Sequence, residues 1–294
     1  MQIGLVTYKP EFVEGYDVHV YFCKWVDGQT FPAAKGMQND VTVLCDAKAI
    51  RGDPSIVSVS KGGPALRRNR KLNFAFDFVC PTHPMYRKRV FDYLDSVAKE
   101  DVQGVTLNLY HFADQGFCTC PRCTDLFEKS GSGWTEWRAK TITDFLKEAK
   151  THCKGKFAVE MFPDPVLAKE RFGIDFAAIA DLVDYFHVPL SSRDYFTNYW
   201  VDTIVRDFVT ILKKPVVVEL SAEMPTDEKM DALLRTVSYI SRHNLMAVLL
   251  LVHDSENARQ VARFAVHNKA FREWLETHDF PKMQKIVDNW AKFY

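Results

Sequence analysis

From residue 72 onward the chain alternates short runs rich in Val, Leu, Phe and Tyr with stretches whose apolar residues recur three and four apart. Strand and helix in strict alternation build a parallel sheet with helices packed on it. The strand candidates are Asn73–Val79, Gly104–Tyr110, Lys156–Met161, Val183–Val188, Pro215–Leu220 and Met246–Val252. Ile3–Thr7 and Val41–Cys45 bring the number to eight. The helical stripes include Tyr86, Val90, Leu94 and Val97, then Trp134, Trp137, Thr141, Ile142, Phe145 and Leu146. Ile204, Val205, Phe208 and Leu212 form another, as do Met230, Leu233, Leu234, Val237 and Ile240 behind a Thr226 cap. The tail, 258–294, would close the ring. The expected fold class is therefore α/β, a single (β/α)8 TIM barrel over residues 1–294, with 8–71 irregular or loop-rich.

A length of 294 residues with 47% hydrophobic content suffices for one full core. The 38 basic residues balance 38 acidic ones, so no global field favours nucleic acid or an anionic membrane. The longest wholly apolar stretch, Leu245–Val252, is far shorter than a spanning helix. The first residues do not read as a signal peptide, and a cytoplasmic location is expected. Self-association into a homo-oligomer is compatible with this composition. Arg67, Arg68, Arg70 and Lys71 fit a solvated loop better than a phosphate site.

Seven cysteines are an odd number with no paired secretory framework. Three of them are packed as C-T-C-P-R-C, at Cys118, Cys120 and Cys123, between a strand-like run and an aromatic helix. Thiolates at this spacing can turn toward one tetrahedral ion, and a closed zinc site needs a fourth ligand. Cys80, at the end of an expected strand, is the first candidate, with His83 and His111 as alternatives. The plain alternative is reduced cysteines that merely pack. Ferredoxin spacings do not match.

A parallel barrel places its chemistry at the C-terminal ends of its strands. The residues there are acidic and aromatic: Asn108, Tyr110, His111 and Asp114 after one run, Glu160 after another, and His187 before Arg193 and Tyr195. Glu219 sits within Val216–Leu220, and His253 and Asp254 follow the last run. A carboxylate in an apolar strand is costly without a partner, so Glu219 points to function, with an ion pair as the bland alternative. Tyr195, Phe196, Tyr199 and Trp200 fit ordinary packing slightly better than stacking on sugar rings. Two carboxylates facing each other across a small cavity are what glycosidic cleavage requires.

The passage Phe78-Val79-Cys80-Pro81 through Tyr86-Arg87, then Cys118–Cys123 with Phe127 and Trp134–Arg138, resembles glycoside hydrolase family 42 β-galactosidases over about sixty residues. The resemblance implies a structural zinc on Cys80, Cys118, Cys120 and Cys123, and a carbohydrate substrate. It places the nucleophile at Glu219. The family's general acid is a glutamate directly after an asparagine, where this chain reads Asn108-Leu109. The acid must then come from elsewhere, with Glu160 first and Asp114 second. Asn108, Tyr110, His111, His187, Arg193, Tyr195, His253 and Asp254 are the expected substrate-binding residues. The expected function is a glycosidase. Its alternatives are a carbohydrate-binding barrel without turnover and a metal-dependent hydrolase using His187, His253, Asp254 and Glu219. G-x-S-x-G, G-x-G-x-x-G and P-loop motifs are absent from the sequence.

Overall fold

A computed structural model of the chain describes residues 1–190, 197–222 and 226–294. Eight strands close into a barrel, flanked by helices: β1 (Gln2–Thr7), β2 (Val18–Lys24), β3 (Gln38–Thr42), β4 (Gly104–Asn108), β5 (Lys156–Glu160), β6 (Tyr185–Pro189), β7 (Val216–Ser221) and β8 (Ala247–Val252). Each neighbours the next in sequence, and β8 returns to β1. This is the (β/α)8 barrel that the alternation of elements predicts. No helix among the described residues is long and apolar enough to cross a membrane.

Contacts divide the chain into two compact units, Met1–Phe22 with Tyr185–Tyr294, and Cys23–Asp184. In the first, β6, β7, β8 and β1 pair in parallel, and β1 pairs with β2. Side chains opposite one another in a parallel pair share a face, so the matches His187 with Val217 and Glu219 with Leu249 put all four on one side. Gly4 continues that row beside Leu249, and a Cβ there would lie 2.5 Å from the Val18 carbonyl. Helices Asn198–Ile211, Asp227–Ile240 and Ser255–His267 start on Thr197, Thr226 and Asp254, each of which accepts a backbone N–H through its side chain. Their buried stripes include Val205 and Phe208, Leu234 and Val237, and Val261 and Ala265. Helix Pro281–Trp290 ends on buried Trp290, whose ring lies 5.4 Å from that of Tyr16, so the tail packs on the turn after β1.

In the second unit β3, β4 and β5 pair in parallel. Helices Pro84–Ala98 and Trp134–Thr151 bury the stripes read from sequence, Val90, Leu94 and Val97 in one and Ile142, Phe145 and Leu146 in the other.

Two strand expectations are overturned. Residues 73–79 form no barrel strand, only isolated bridges, Cys45 with Phe78 and Val57 with Val79. The missing strand is β2, Val18–Lys24, inside the region read as irregular. Its side chains are buried on both faces although His19 and Lys24 interrupt the apolar run, so neither alternation nor hydrophobicity marks it. β3 lies at Gln38–Thr42 rather than 41–45, because its buried face carries Gln38, Asp40 and Thr42.

Candidate functional site

Glu219 stands in β7 between Val218 and Leu220 and is 2% exposed. His187, in the adjacent strand, is 1% exposed and brings Nε2 to 3.2 Å from Glu219 Oε2. A carboxylate withdrawn from water needs compensation, and the imidazole stands at ion-pair distance without a hydrogen bond to Oε2. The backbone is fixed as well, since Leu190 N–H donates to the Glu219 carbonyl at 2.8 Å. The other residues expected near the end of β8 serve differently. Asp254 caps its helix, accepting from Asn257 N–H at 3.0 Å. His253 is exposed, with its ring edge-on to Tyr8. Among the described residues neither joins a group of metal-ligating side chains, so the set His187, His253, Asp254 and Glu219 is not assembled as a metal site. Arg193 and Tyr195 lie outside the described residues, as does Phe196.

In the second unit Asp40, midway along β3, comes together with Asn108 and Glu160, the last residues of β4 and β5. Asn108 donates from Nδ2 to Asp40 Oδ1. A Glu160 carboxylate oxygen lies within 4.8 Å of one of Asp40. Asp40 and Asn108 are buried, and Glu160 is half-buried. Two further atoms in this region, Asn108 Oδ1 and the Tyr110 hydroxyl, are buried with no hydrogen-bond partner among the described residues. Burial, and then the charge of Glu160, push the Tyr110 hydroxyl well above its ordinary pKa. Leu109, between them, has a φ of +47°, a left-handed conformation that is strained for a bulky side chain. Such strain is common at functional sites. Asp40 is absent from the sequence reading. Its only signal is a carboxylate within Gln38-Asn39-Asp40-Val41-Thr42, a run too polar to be read as a buried strand.

Two residues expected here are committed to the scaffold. Asp114 Oδ2 accepts from Arg171 Nη2 at 2.5 Å and from Nε at 3.1 Å, and the same guanidinium reaches Asp164 at 2.6 Å. His111 is a buried ring whose Nδ1–H donates to the Phe112 carbonyl at 2.7 Å, and burial pushes its pKa down to about 4. It is a neutral core group.

The cysteines converge. Cys80, Cys118, Cys120 and Cys123 place all four sulfurs within 4.8 Å of one another. Sulfurs bound to a tetrahedral zinc at about 2.3 Å stand about 3.8 Å apart. Cys80 Sγ lies 3.7 Å from Cys120 Sγ and 3.5 Å from Cys123 Sγ, close to that spacing. Backbone N–H groups of Val59 and Cys123 point at the sulfurs of Cys118 and Cys120, at 3.3 and 3.4 Å. The donor set and its spacing fit zinc. His83 and His111 stand outside the cluster.

The sequence matches no protein-family model and no curated protein. Solved structures match in fold. Alpha-L-fucosidase isoenzyme 2 from Paenibacillus thiaminolyticus aligns with a TM-score of 0.65 at 11% identity, over 93% of this chain. The chain spans 50% of that protein's length. A variant of the glycoside hydrolase domain of PelA from Pseudomonas aeruginosa aligns with a TM-score of 0.50 at 10% identity, over 87% of this chain and 96% of its own. At such identities the likeness is one of fold, and the chemistry rests on the residues.

Proposed function

We propose that the protein is a glycoside hydrolase in which Glu219 acts as nucleophile or stabiliser of the sugar cation and Glu160 as general acid/base. The observation that carries this reading is Glu219 itself, a carboxylate withdrawn into a strand of the barrel with the His187 imidazole 3.2 Å away rather than spent on a surface pair. In such a reaction one carboxyl protonates the leaving oxygen while the other attacks or stabilises the developing positive charge on the sugar. Glu160, half-buried at the end of β5, keeps the access to solvent that proton exchange needs. The test is a panel of aryl glycosides. Glu219→Gln abolishes turnover of whichever substrate the wild type cleaves, and Glu160→Gln is impaired least on leaving groups that need little protonation. Equal impairment on all leaving groups would remove Glu160 from the acid role.

A second reading, a carbohydrate-binding barrel without turnover, is favoured by Leu109, which stands where family 42 carries its acid. Sugar binding in calorimetry with no cleavage of the panel would establish it.

For the cysteines the proposed ligand is a structural zinc, which would bind Cys80, Cys118, Cys120 and Cys123 and supply no chemistry to the sugar. The resemblance to the family 42 cluster supports this, as do the sulfur spacings.

A further inference from the structure

The connection from β3 to helix Pro84–Ala98, residues 43–83, gathers positive charge in one place. Residues 54–83 contain Lys61, Arg67, Arg68, Arg70 and Lys71 against a single acidic residue, Asp77. All five cationic side chains are exposed, and none has an acidic partner among the described residues. Cations a little further on are paired, Arg87 with Glu148 and Lys88 with Asp92. Asp77 is turned to the backbone, its Oδ1 accepting from Arg67 N–H at 2.7 Å. Asp114, in the neighbouring connection, is paired with Arg171. A chain whose 38 basic and 38 acidic residues balance therefore carries a local excess of positive charge on this turn.

A folded turn brings the five charges together. Val59–Ser60 pairs antiparallel with Gly63–Pro64, and Lys61 stands at the tip. The tip lies against the basic run: a Cβ on Gly62 would stand 3.0 Å from Leu72 Cδ2, and one on Gly63 3.2 Å from Asn69 Nδ2. Asn69 Nδ2 donates to the Pro64 carbonyl at 3.0 Å, and its Oδ1 accepts from Lys71 N–H at 3.3 Å. Ala65 and Leu66 are buried, and the Ala65 carbonyl accepts from Phe78 N–H at 2.9 Å. Gln115 Nε2 donates to the Leu72 carbonyl at 3.0 Å and Thr119 N–H to the Val59 carbonyl at 2.8 Å, so the turn rests on the connection that follows β4. Both connections leave the C-terminal ends of their strands, the face on which a (β/α)8 barrel takes its ligands. None of these anchors uses a cationic side chain, so the charge can be removed without undoing the turn.

Uncompensated like charges repel one another, and a polyanion that meets several of them relieves the repulsion. A guanidinium offers two parallel N–H groups that match the two oxygens of a carboxylate, and three of the five side chains are arginines. A single-stranded nucleic acid would also need rings on which its bases stack. This turn exposes none, since Phe74 packs on Phe78 and Phe117.

We infer that this basic turn binds an acidic polysaccharide whose sugars carry carboxylates, and that such a glycan is the substrate class of the enzyme. The binding stands on the charges, and the role as substrate rests on the glycoside hydrolase reading. The probes are polygalacturonate, alginate and hyaluronate, with methyl-esterified polygalacturonate as the uncharged counterpart and duplex DNA and dextran sulfate as other polyanions. Wild type is compared by calorimetry at about 150 mM salt with Arg67→Gln/Arg68→Gln/Arg70→Gln/Lys71→Gln, and with the milder Arg68→Gln/Arg70→Gln. Wild type binds at least one polyuronate and not the ester. The quadruple variant melts at the wild-type temperature and binds about tenfold or more weakly, the summed effect of four exposed ion pairs, with the double variant in between. It keeps aryl monoglycoside turnover and loses kcat/KM on oligosaccharides of the bound polyuronate. Binding of no polyuronate, equal binding of the ester, unchanged binding by the variants, or binding confined to duplex DNA or dextran sulfate overturns the inference. Polyuronate binding that the variants lose, with no cleavage of any glycoside, supports the basic surface and refutes the hydrolase. Cleavage of a neutral glycoside by a wild type that binds no polyuronate supports the hydrolase and overturns the surface.

Discussion

Cys120→Ser tests the proposed zinc clasp cleanly, because of where Cys120 sits. It is the N-cap residue of helix Pro121–Ser130, and its sulfur accepts from Cys123 N–H at 3.4 Å. Serine is a good cap, so the substitution keeps the helix start and removes one of the four sulfurs of the proposed zinc clasp. A ligand that binds only the folded state stabilises by about 1.4 kcal/mol for each tenfold rise in its free concentration above Kd. An unfolding entropy of about 2.1 cal/mol/K per residue, over 294 residues, gives about 0.6 kcal/mol/K. Each decade of free zinc then raises Tm by about 2 °C, and three decades by about 7 °C. The assay is thermal unfolding in zinc buffers, with elemental analysis of the purified protein. Wild type should carry about one zinc per chain and show this slope. Cys120→Ser should melt lower, with a much reduced slope. Protein that is isolated without metal, and whose Tm ignores both zinc and a strong chelator, would refute the zinc clasp.

Arg138 is buried and donates to the carbonyls of Glu170 at 2.8 Å and Arg171 at 2.7 Å. Arg138→Met leaves these acceptors unpaired and should cost about 3 kcal/mol in urea unfolding, whereas a loss below about 1 kcal/mol would show that they find other donors. Asp46 is buried against Lys24 at 3.3 Å and accepts from Tyr86 at 3.1 Å and Ala49 N–H at 2.7 Å. Asp46→Asn should cost about 3–5 kcal/mol by stranding the ammonium, and adding Lys24→Met should recover part of it; strict additivity would deny the coupling. His111 has its folded pKa lowered from 6.5 to about 4, so its contribution is fully present above pH 6.5 and is lost as pH falls toward 4. About 2 kcal/mol should be lost by about pH 5, and His111→Gln should be less acid-sensitive by that amount; identical pH profiles would contradict a buried neutral ring.

What was legible in the sequence followed apolar periodicity. β8, Ala247–Val252, is buried throughout and reads directly as Ala-Val-Leu-Leu-Leu-Val. β3 was misplaced because the same burial is met there by polar side chains, with Gln38 donating to Thr106 at 3.1 Å in the barrel wall. Phe74–Val79 looks like a strand because its rings are apolar, yet they pack on one another, as Phe74 does on Phe78 and Phe117, and leave only isolated bridges. The cysteine group was readable because three of its members are adjacent in sequence, and Cys80 joins them across 38 residues only through the fold. Glu219 stood out as one charge in an apolar run. Asp40 did not, since its neighbours Gln38 and Asn39 are polar too. Tyr199 and Trp200 read as packing residues although they are exposed, because periodicity does not say which face of a helix's first turn meets water.

The most direct test of the account is the turnover of the best glycoside substrate by wild type and by Glu219→Gln, the two proteins matched for melting temperature. The account predicts that the variant loses about a thousandfold or more in kcat, the equivalent of about 4 kcal/mol of transition-state stabilisation. A Glu219→Gln protein that keeps full turnover would contradict it.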